Sequence, residues 1–194
     1  MARVEPYSDR FHLDVADGHY VPEMLFFPAL VGALRPHSSL PFEVHLMTTD
    51  PARWVGPFCD AGADVIIFTF DSTGEPEGLL DQIHGAGKQA GISLSLPEPI
   101  GLLDGLWEKL DIVTIIGTEI GIKGAELDSS VPAKITSARA VIAERGASTL
   151  IQADGGIRRH SVPLLRAAGA DFIVPGSLMF SDDPAAVRSW LDSL

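Results

Sequence analysis

The sequence has little cysteine, little positive charge and no long apolar run, and each shortage excludes a class of protein. Cys59 is the one cysteine in 194 residues, so no intrachain disulfide forms, and we expect a buried, inert thiol. Lys and Arg number 14 against 26 Asp and Glu, a formal net charge of −12, which disfavours nucleic acid or an anionic membrane as partner. Without an apolar run of about 18 residues or a signal peptide, a cytoplasmic location is expected.

What is present is the balance of a globular protein, with 46% hydrophobic and 21% charged residues over a length that fits one domain, residues 1–194. Short apolar runs alternate with amphipathic segments, which predicts an α/β fold. The predicted strands are Phe11–Val15, Phe42–Met47, Val65–Phe70, Ile92–Leu96, Ile112–Ile116, Leu150–Ala153 and Phe172–Pro175. The predicted helices are Phe26–Leu34, Pro51–Ala61, Glu77–Ala86, Leu102–Lys109, Val131–Arg145, Ser161–Ala168 and Pro184–Leu194.

A short internal sequence repeat indicates repeated αβ units: Ala61–Ile66 reads Ala-Gly-Ala-Asp-Val-Ile, and Ala168–Ile173 reads Ala-Gly-Ala-Asp-Phe-Ile. Such units form a parallel sheet, either an open doubly wound sheet or a closed (β/α)8 barrel. Seven strands are counted, not eight. The expectation is therefore an incomplete barrel, or a sequence that lacks an initial strand and helix. An exposed sheet edge would favour association into a homo-oligomer.

Four polar residues stand late in, or just after, predicted strands, where ligands bind in α/β folds. His12 and Asp14 are two positions apart along one strand and so share a face, whereas His45 lies late in the second strand and Asp154 directly follows the sixth. Two imidazoles and two carboxylates complete a ligand shell for Zn, Mn, Fe or Co. Each residue taken alone has a simpler interpretation: a hydrogen-bonded core histidine, or an Asp-Gly turn.

Glycines predict a second function at the same edge of the sheet. Gly155–Gly156 and Gly176–Ser177 each follow a strand and precede a helix, where free N–H groups bind phosphate. Each pair is equally compatible with a tight turn. The glycine-containing segment Gly117–Gly124 is a candidate lid that would bring Lys123 near an anion, or a mobile surface loop with an ordinary lysine.

The motifs together resemble the ribulose-phosphate 3-epimerase family. They are His12–Pro22, Val44–Met47 followed by Asp50–Pro51, Ala61–Asp64, Ala153–Gly156 and Gly176–Ser177. The first motif is specific, whereas the Gly-Ala-Asp repeats are not. The resemblance covers nearly the whole chain in the right order, and it implies a TIM-type (β/α)8 barrel that here lacks the first strand and most of the first helix.

The resemblance also implies an activity and residue roles. The activity is a metal-dependent epimerase that inverts C3 of a phosphorylated ketose. His12, Asp14, His45 and Asp154 would be the metal ligands, with Asp14 and Asp154 also the acid/base pair. The implied substrate and phosphate contacts are Met47, Gly121, Gly124, Gly155, Gly156, Gly176 and Ser177.

Departures from the family pattern keep other interpretations open. The segment Glu119–Gly124 differs from the family's Asn-Pro-Gly-Phe-Gly-Gly lid, and Ala16 and Ile116 stand where methionines are usual. These changes suggest a related ketose phosphate as substrate. A non-catalytic sugar-phosphate-binding barrel and a barrel enzyme of another class remain alternatives, although no lysine stands at a strand end for an aldolase route.

Overall fold

The computed structural model describes residues 1–120 and 124–194. Its strands, all in one sheet, are β1 (Phe11–Ala16), β2 (Phe42–Met47), β3 (Val65–Thr69), β4 (Gln89–Leu94), β5 (Ile112–Ile116), β6 (Leu150–Asp154) and β7 (Phe172–Val174). Its helices are α1 (Pro28–Leu34), α2 (Ala52–Asp60), α3 (Pro76–Gly85), α4 (Val131–Arg145), α5 (Val162–Ala168), α6 (Ser177–Ser181) and α7 (Pro184–Asp192). No helix in these two ranges is both long and apolar enough to pass through a membrane.

Every strand pairs in parallel with the next one along the chain, in the order β1 to β7. All carboxyl ends of the strands therefore lie at one rim. The sequence-based strands are confirmed to within a few residues. The predicted helix Leu102–Lys109 is wrong, because this stretch forms two short 3-10 turns, Ile100–Leu103 and Trp107–Lys109, and Gly105 between them has a φ of 86°.

The two faces of the sheet differ in chemistry because side chains alternate along each strand. The outward face is apolar and packs beneath the helices, as Val44, Phe68 and Ile115 do in the largest core cluster. The inward face carries a small apolar layer of Val65, Ile67 and Ile112. Other inward positions are polar, among them Glu43, His45, Ser93 and Gln152, because the same alternation directs the histidines and acids to the inside of the curled sheet.

The seam between the first and last strands is closed by side chains. Among the described residues no backbone pairing joins β7 to β1. The Arg10 guanidinium instead lies 4.2 Å from the centre of the Phe172 ring, and Arg188 of α7 contacts Asp9 at 2.9 Å. A cleft of about 330 Å³ lies along this seam, on a different part of the molecule from the polar cluster.

Candidate metal centre and active site

Four predicted ligands meet at the carboxyl rim. Donor atoms of His12, Asp14, His45 and Asp154 all lie within 4.8 Å of one another. Asp14 Oδ1 is 3.3 Å from His12 Nε2 and 3.2 Å from His45 Nδ1, and Asp154 Oδ2 is 3.7 Å from His12 Nε2. Ligands that share an ion at about 2.1 Å lie roughly 3–4 Å apart, so the donor set fits a divalent transition metal.

Sheet register explains why these residues meet. His12 pairs with Glu43 and Asp14 pairs with His45 in the parallel ladder of β1 and β2, so all four side chains share the inner face. Asp154 ends β6, which belongs to the other side of the seam. Closure of the sheet between β7 and β1 therefore brings a carboxylate from late in the chain to the residues of the first strand.

Both imidazoles are held by partners on the side away from the cluster. His12 Nδ1 lies 2.6 Å from Glu43 Oε1, and His45 Nε2 lies 2.9 Å from Ser93 Oγ. The Ser93 hydroxyl in turn donates to the carbonyl oxygen of Phe68 at 3.4 Å. Each ring thus presents its second nitrogen to the cluster, as metal-binding histidines do.

The two acids have pKa values shifted in opposite directions. Burial alone would raise the pKa of Asp14, but hydrogen bonds from His12 and His45 outweigh it and lower the pKa well below its usual range. Burial raises the pKa of Asp154, and the charges of Asp14 and Glu43 add to this against the opposing charge of His12. Carboxyl groups whose pKa values are pushed apart are suited to opposite roles in proton transfer.

The His12 pKa follows the same balance of burial and partners. Burial would lower it, yet the hydrogen bonds to Asp14 and Glu43 and the charges of Asp14 and Asp154 raise it well above 6.5. A raised imidazole pKa between carboxylates marks a position where positive charge is stabilised. A divalent cation bound by the same groups would take over that role.

A cavity of about 180 Å³ opens over the cluster. Asp14, His45 and Asp154 form its floor, together with Met47 and Gly155. The remaining lining residues come from the loop after β1, the last residue of β5 and the loop after β5: Val21, Glu23, Leu25, Ile116, Thr118, Glu119 and Ile120. A reactant in this cavity would therefore contact both acids and a partly apolar wall.

The loop after β1 folds back over the rim and supplies one wall of the cavity. Met24 forms an isolated antiparallel bridge with Asp17, and Leu25 N–H donates to the carbonyl of Ala16 at 3.1 Å. Alternation along the returning segment turns Glu23 and Leu25 towards the cavity, whereas Met24 is 82% exposed. One Glu23 oxygen, Oε2, is buried and has no hydrogen-bond partner among residues 1–120 and 124–194.

The predicted phosphate glycines follow two neighbouring strands, since Asp154 at the end of β6 pairs with Val174 at the end of β7. Gly155 lines the cavity, and Gly156 follows it; both have positive φ, 90° and 67°. Gly176 precedes the short helix α6, which begins at Ser177, and both lie on the same rim beyond β7 without lining the cavity. Gly124 is exposed with a φ of 78°. Gly121 and Lys123 lie outside the described residues.

Sequence reasoning missed two acids of this site. Glu43 lies in an apolar strand and is fully buried, a setting in which an acid needs partners; this was the available signal. Glu23 carried no comparable signal, because its position over the cavity depends on how the loop after β1 folds back.

The fold and the site together define an α/β barrel protein with a His2Asp2 cluster at the carboxyl rim of its strands. A family model described as the Ribulose-phosphate 3 epimerase family matches residues 2–180. The chain belongs to that family, whose named members are carbohydrate epimerases of the isomerase class.

Relatives and solved structures agree with this placement. The ribulose-phosphate 3-epimerase of Treponema pallidum is 36% identical over 88% of this chain and 78% of its own length. That of Bacillus subtilis is 33% identical over 89% of this chain and 80% of its own. For the fold alone, 3-keto-L-gulonate-6-phosphate decarboxylase from Vibrio cholerae superposes with a TM-score of 0.72 at 15% identity, covering 99% of this chain and 89% of that one.

Proposed function

We propose that the protein is a metal-dependent epimerase that inverts C3 of a phosphorylated ketose, ribulose 5-phosphate or a related sugar. Family membership supports ketose-phosphate epimerisation as the broader activity. The observation that carries the metal-dependent form is the convergence of His12, Asp14, His45 and Asp154 beneath an open cavity. The proposed cofactor is a divalent ion of Zn, Mn, Fe or Co, held by these four side chains.

The reaction requires removal of a proton from carbon beside a ketone and its return on the opposite face. A bound divalent ion would supply electrostatic stabilisation of the negative charge that develops on the oxygen atoms. One aspartate removes the C3 proton, and the electrons of the C–H bond form the C2=C3 double bond of an enediolate. The other aspartate gives a proton to C3 from the opposite face, and the ketone re-forms.

Asp14 and Asp154 are proposed as this pair because both line the cavity and both approach His12 Nε2. They come from β1 and β6, two strands that do not pair, so they can flank one reacting carbon. Asp14, the more readily ionised, is the base in one direction; Asp154, with its raised pKa, is the acid. The roles reverse for the opposite epimer.

The rest of the substrate is proposed to lie along the cavity walls. Met47 would contact its carbon chain, and Gly155, Gly156, Gly176 and Ser177 would bind the phosphate through the rim after β6 and β7. Gly121 and Gly124 are proposed for the covering segment. Glu23 and Glu119 line the cavity as acceptors, which suits sugar hydroxyls and disfavours a phosphate at that wall.

The test is exchange of the C3 hydrogen with deuterated solvent, measured by NMR on ketose phosphates of four, five and six carbons with Zn²⁺, Mn²⁺, Fe²⁺ or Co²⁺ supplied. We expect exchange and epimerisation of at least one sugar, and losses of about 10³-fold or more for Asp14→Asn and Asp154→Asn. Asp81→Asn is the matched control, since Asp81 contacts Lys109 on the outside of α3.

Two outcomes would contradict the proposal. Binding of a ketose phosphate without any exchange by the metal-loaded chain would favour the non-catalytic sugar-phosphate-binding barrel. Near-normal turnover by either aspartate variant would contradict the two-acid mechanism.

A further inference from the structure

Glu43 lies beneath the metal cluster, inside the curled sheet, and its side chain is fully buried. A buried carboxylate is costly unless every oxygen is well satisfied. Oε1 receives Gln152 Nε2–H at 2.7 Å and lies 2.6 Å from His12 Nδ1, while Oε2 receives Arg10 Nη1–H at 2.7 Å. Two oxygens therefore have three donors, one of which is a ring nitrogen of a proposed metal ligand.

The orientation of this carboxylate is itself fixed from two sides. Thr114 Oγ1 donates to Gln152 Oε1 at 2.8 Å, which leaves the Gln152 amide N–H to point at Glu43. Arg10 contacts Oε2 and also stacks on Phe172 of β7. The carboxylate is thus held by groups from β5, β6 and the seam.

The Glu43 carboxylate fixes which ring nitrogen of His12 faces the metal cluster. Because Glu43 is an acceptor at Nδ1, the Nδ1 atom carries a proton, and Nε2 is the nitrogen that faces Asp14 and Asp154. Carboxylate partners of this kind orient a metal-binding histidine and strengthen it as a ligand, with losses of about 10–100-fold in metal affinity when they are removed.

We propose that Glu43 is a positioning residue for the metal centre, acting through His12, and that Arg10 and Gln152 hold Glu43 in place. Because Arg10 also contacts Phe172, closure of the seam between β1 and β7 then affects the affinity of the metal site. This inference rests on the proposed function in that it takes His12 to be a metal ligand.

The test compares Zn²⁺ affinity of the full chain, by competition with a chromophoric chelator, in wild type, Glu43→Gln and Arg10→Met. Glu43→Gln should bind Zn²⁺ about 10–100-fold more weakly. Arg10→Met should lower the Zn²⁺ affinity several-fold, because Glu43 would no longer be held by the guanidinium. Arg35→Met is the matched control: Arg35 likewise stacks on an aromatic ring, Phe42, at 3.8 Å and pairs with an acid, Asp64, at 3.0 Å. It should bind Zn²⁺ within about twofold of wild type, because this cluster does not contact His12.

A second measurement reports on His12 directly in chains that fold. In the zinc-loaded chain with ¹⁵N-labelled histidine, NMR should show His12 bound through Nε2, with a slowly exchanging proton on Nδ1. Glu43→Gln should accelerate exchange of that proton, which a general loss of packing would not do selectively while the His45 signals stay unchanged.

The outcomes separate the two proposals. A wild-type chain that takes up no divalent ion would overturn the metal site of the proposed function. A wild-type chain that binds Zn²⁺, with Glu43→Gln binding it equally tightly and an unchanged Nδ1 proton, would overturn only the role of Glu43.

Discussion

Asp17 is bonded to Thr49 through one carboxylate oxygen, Oδ2, which accepts the Thr49 backbone N–H at 2.9 Å and its hydroxyl at 3.0 Å. The other oxygen accepts the N–H groups of His19 and Tyr20. One side chain thus ties the loop after β1, which carries Glu23 to the cavity, to the end of β2. The motif Asp17–Gly18 is structural in this chain, close to the site without lining the cavity.

Asp17→Asn should destabilise the protein by about 1 kcal/mol at neutral pH, because an amide NH2 replaces an oxygen that accepts two bonds. The Asp17 carboxyl is only slightly buried, and this burial would raise its pKa. The hydrogen bonds from Thr49, Tyr20 and His19 outweigh that effect and lower the pKa well below 3.8. Because the pKa of Asp17 is lower in the folded than in the unfolded chain, ionised Asp17 stabilises the fold above about pH 3.8. This contribution is lost as the pH falls through the pKa that Asp17 has in the folded protein. Urea unfolding should therefore show the two chains converging in acid.

The control for this prediction is Asp60→Asn at the exposed end of α2, which should match wild type at every pH. A constant difference between Asp17→Asn and wild type down to the acid limit would show that the charge of Asp17 is not the source of its effect.

Gly117→Ala should lower stability by about 1–3 kcal/mol, because a Cβ at this position would overlap the carbonyl oxygen of Gly155 and press on Leu127. Backbone cannot yield as a flexible side chain can, so Gly155 would shift at the wall of the cavity. The melting temperature should fall by several degrees, and substrate binding should weaken.

Gly78→Ala is the opposite case and serves as the control. Gly78 lies in α3, where no atom of the described residues comes within 4 Å of an added Cβ, so the substitution should raise the free energy of unfolding by about 0.5–1 kcal/mol. Equal melting temperatures for the two variants would contradict the close packing of Gly117 against Gly155.

Glu23→Leu should raise the melting temperature by about 2–4 °C and yet impair substrate binding. Its buried Oε2 has no hydrogen-bond partner in the part of the chain that the structure describes, and removal of an unsatisfied polar atom stabilises a fold by about 1 kcal/mol. If the same oxygen accepts a sugar hydroxyl, as proposed, KM should rise about tenfold while kcat changes less. Steady-state epimerisation kinetics and thermal unfolding measure the two effects.

Glu126→Leu is the comparison for Glu23, since Glu126 is exposed and paired with His160. It should leave KM unchanged. A Glu23→Leu chain that is less stable than wild type and binds substrate normally would assign Glu23 a structural role instead.

Much of this protein could be predicted from local pattern. Apolar runs such as Ile112–Ile116 identified the strands because strands covered on both faces are nearly continuous in hydrophobicity. The apolar content of Leu102–Lys109 predicts a helix, and this prediction is wrong because Gly105 takes a positive φ that interrupts one. Strand-end placement was enough to nominate His12, Asp14, His45 and Asp154, since parallel strands share one carboxyl rim.

The sequence by itself determined the order of the αβ units, the alternation that turns apolar side chains outward, and the four donors of the rim. Only the tertiary structure decided that Asp154 meets His12 across an unpaired seam, that Glu43 sits under the cluster, and that Glu23 enters the cavity. These contacts join residues from separate strands and loops. The distances between these residues depend on the curvature of the sheet and on how the loop after β1 folds back over the rim. Neither is determined by any local stretch of sequence.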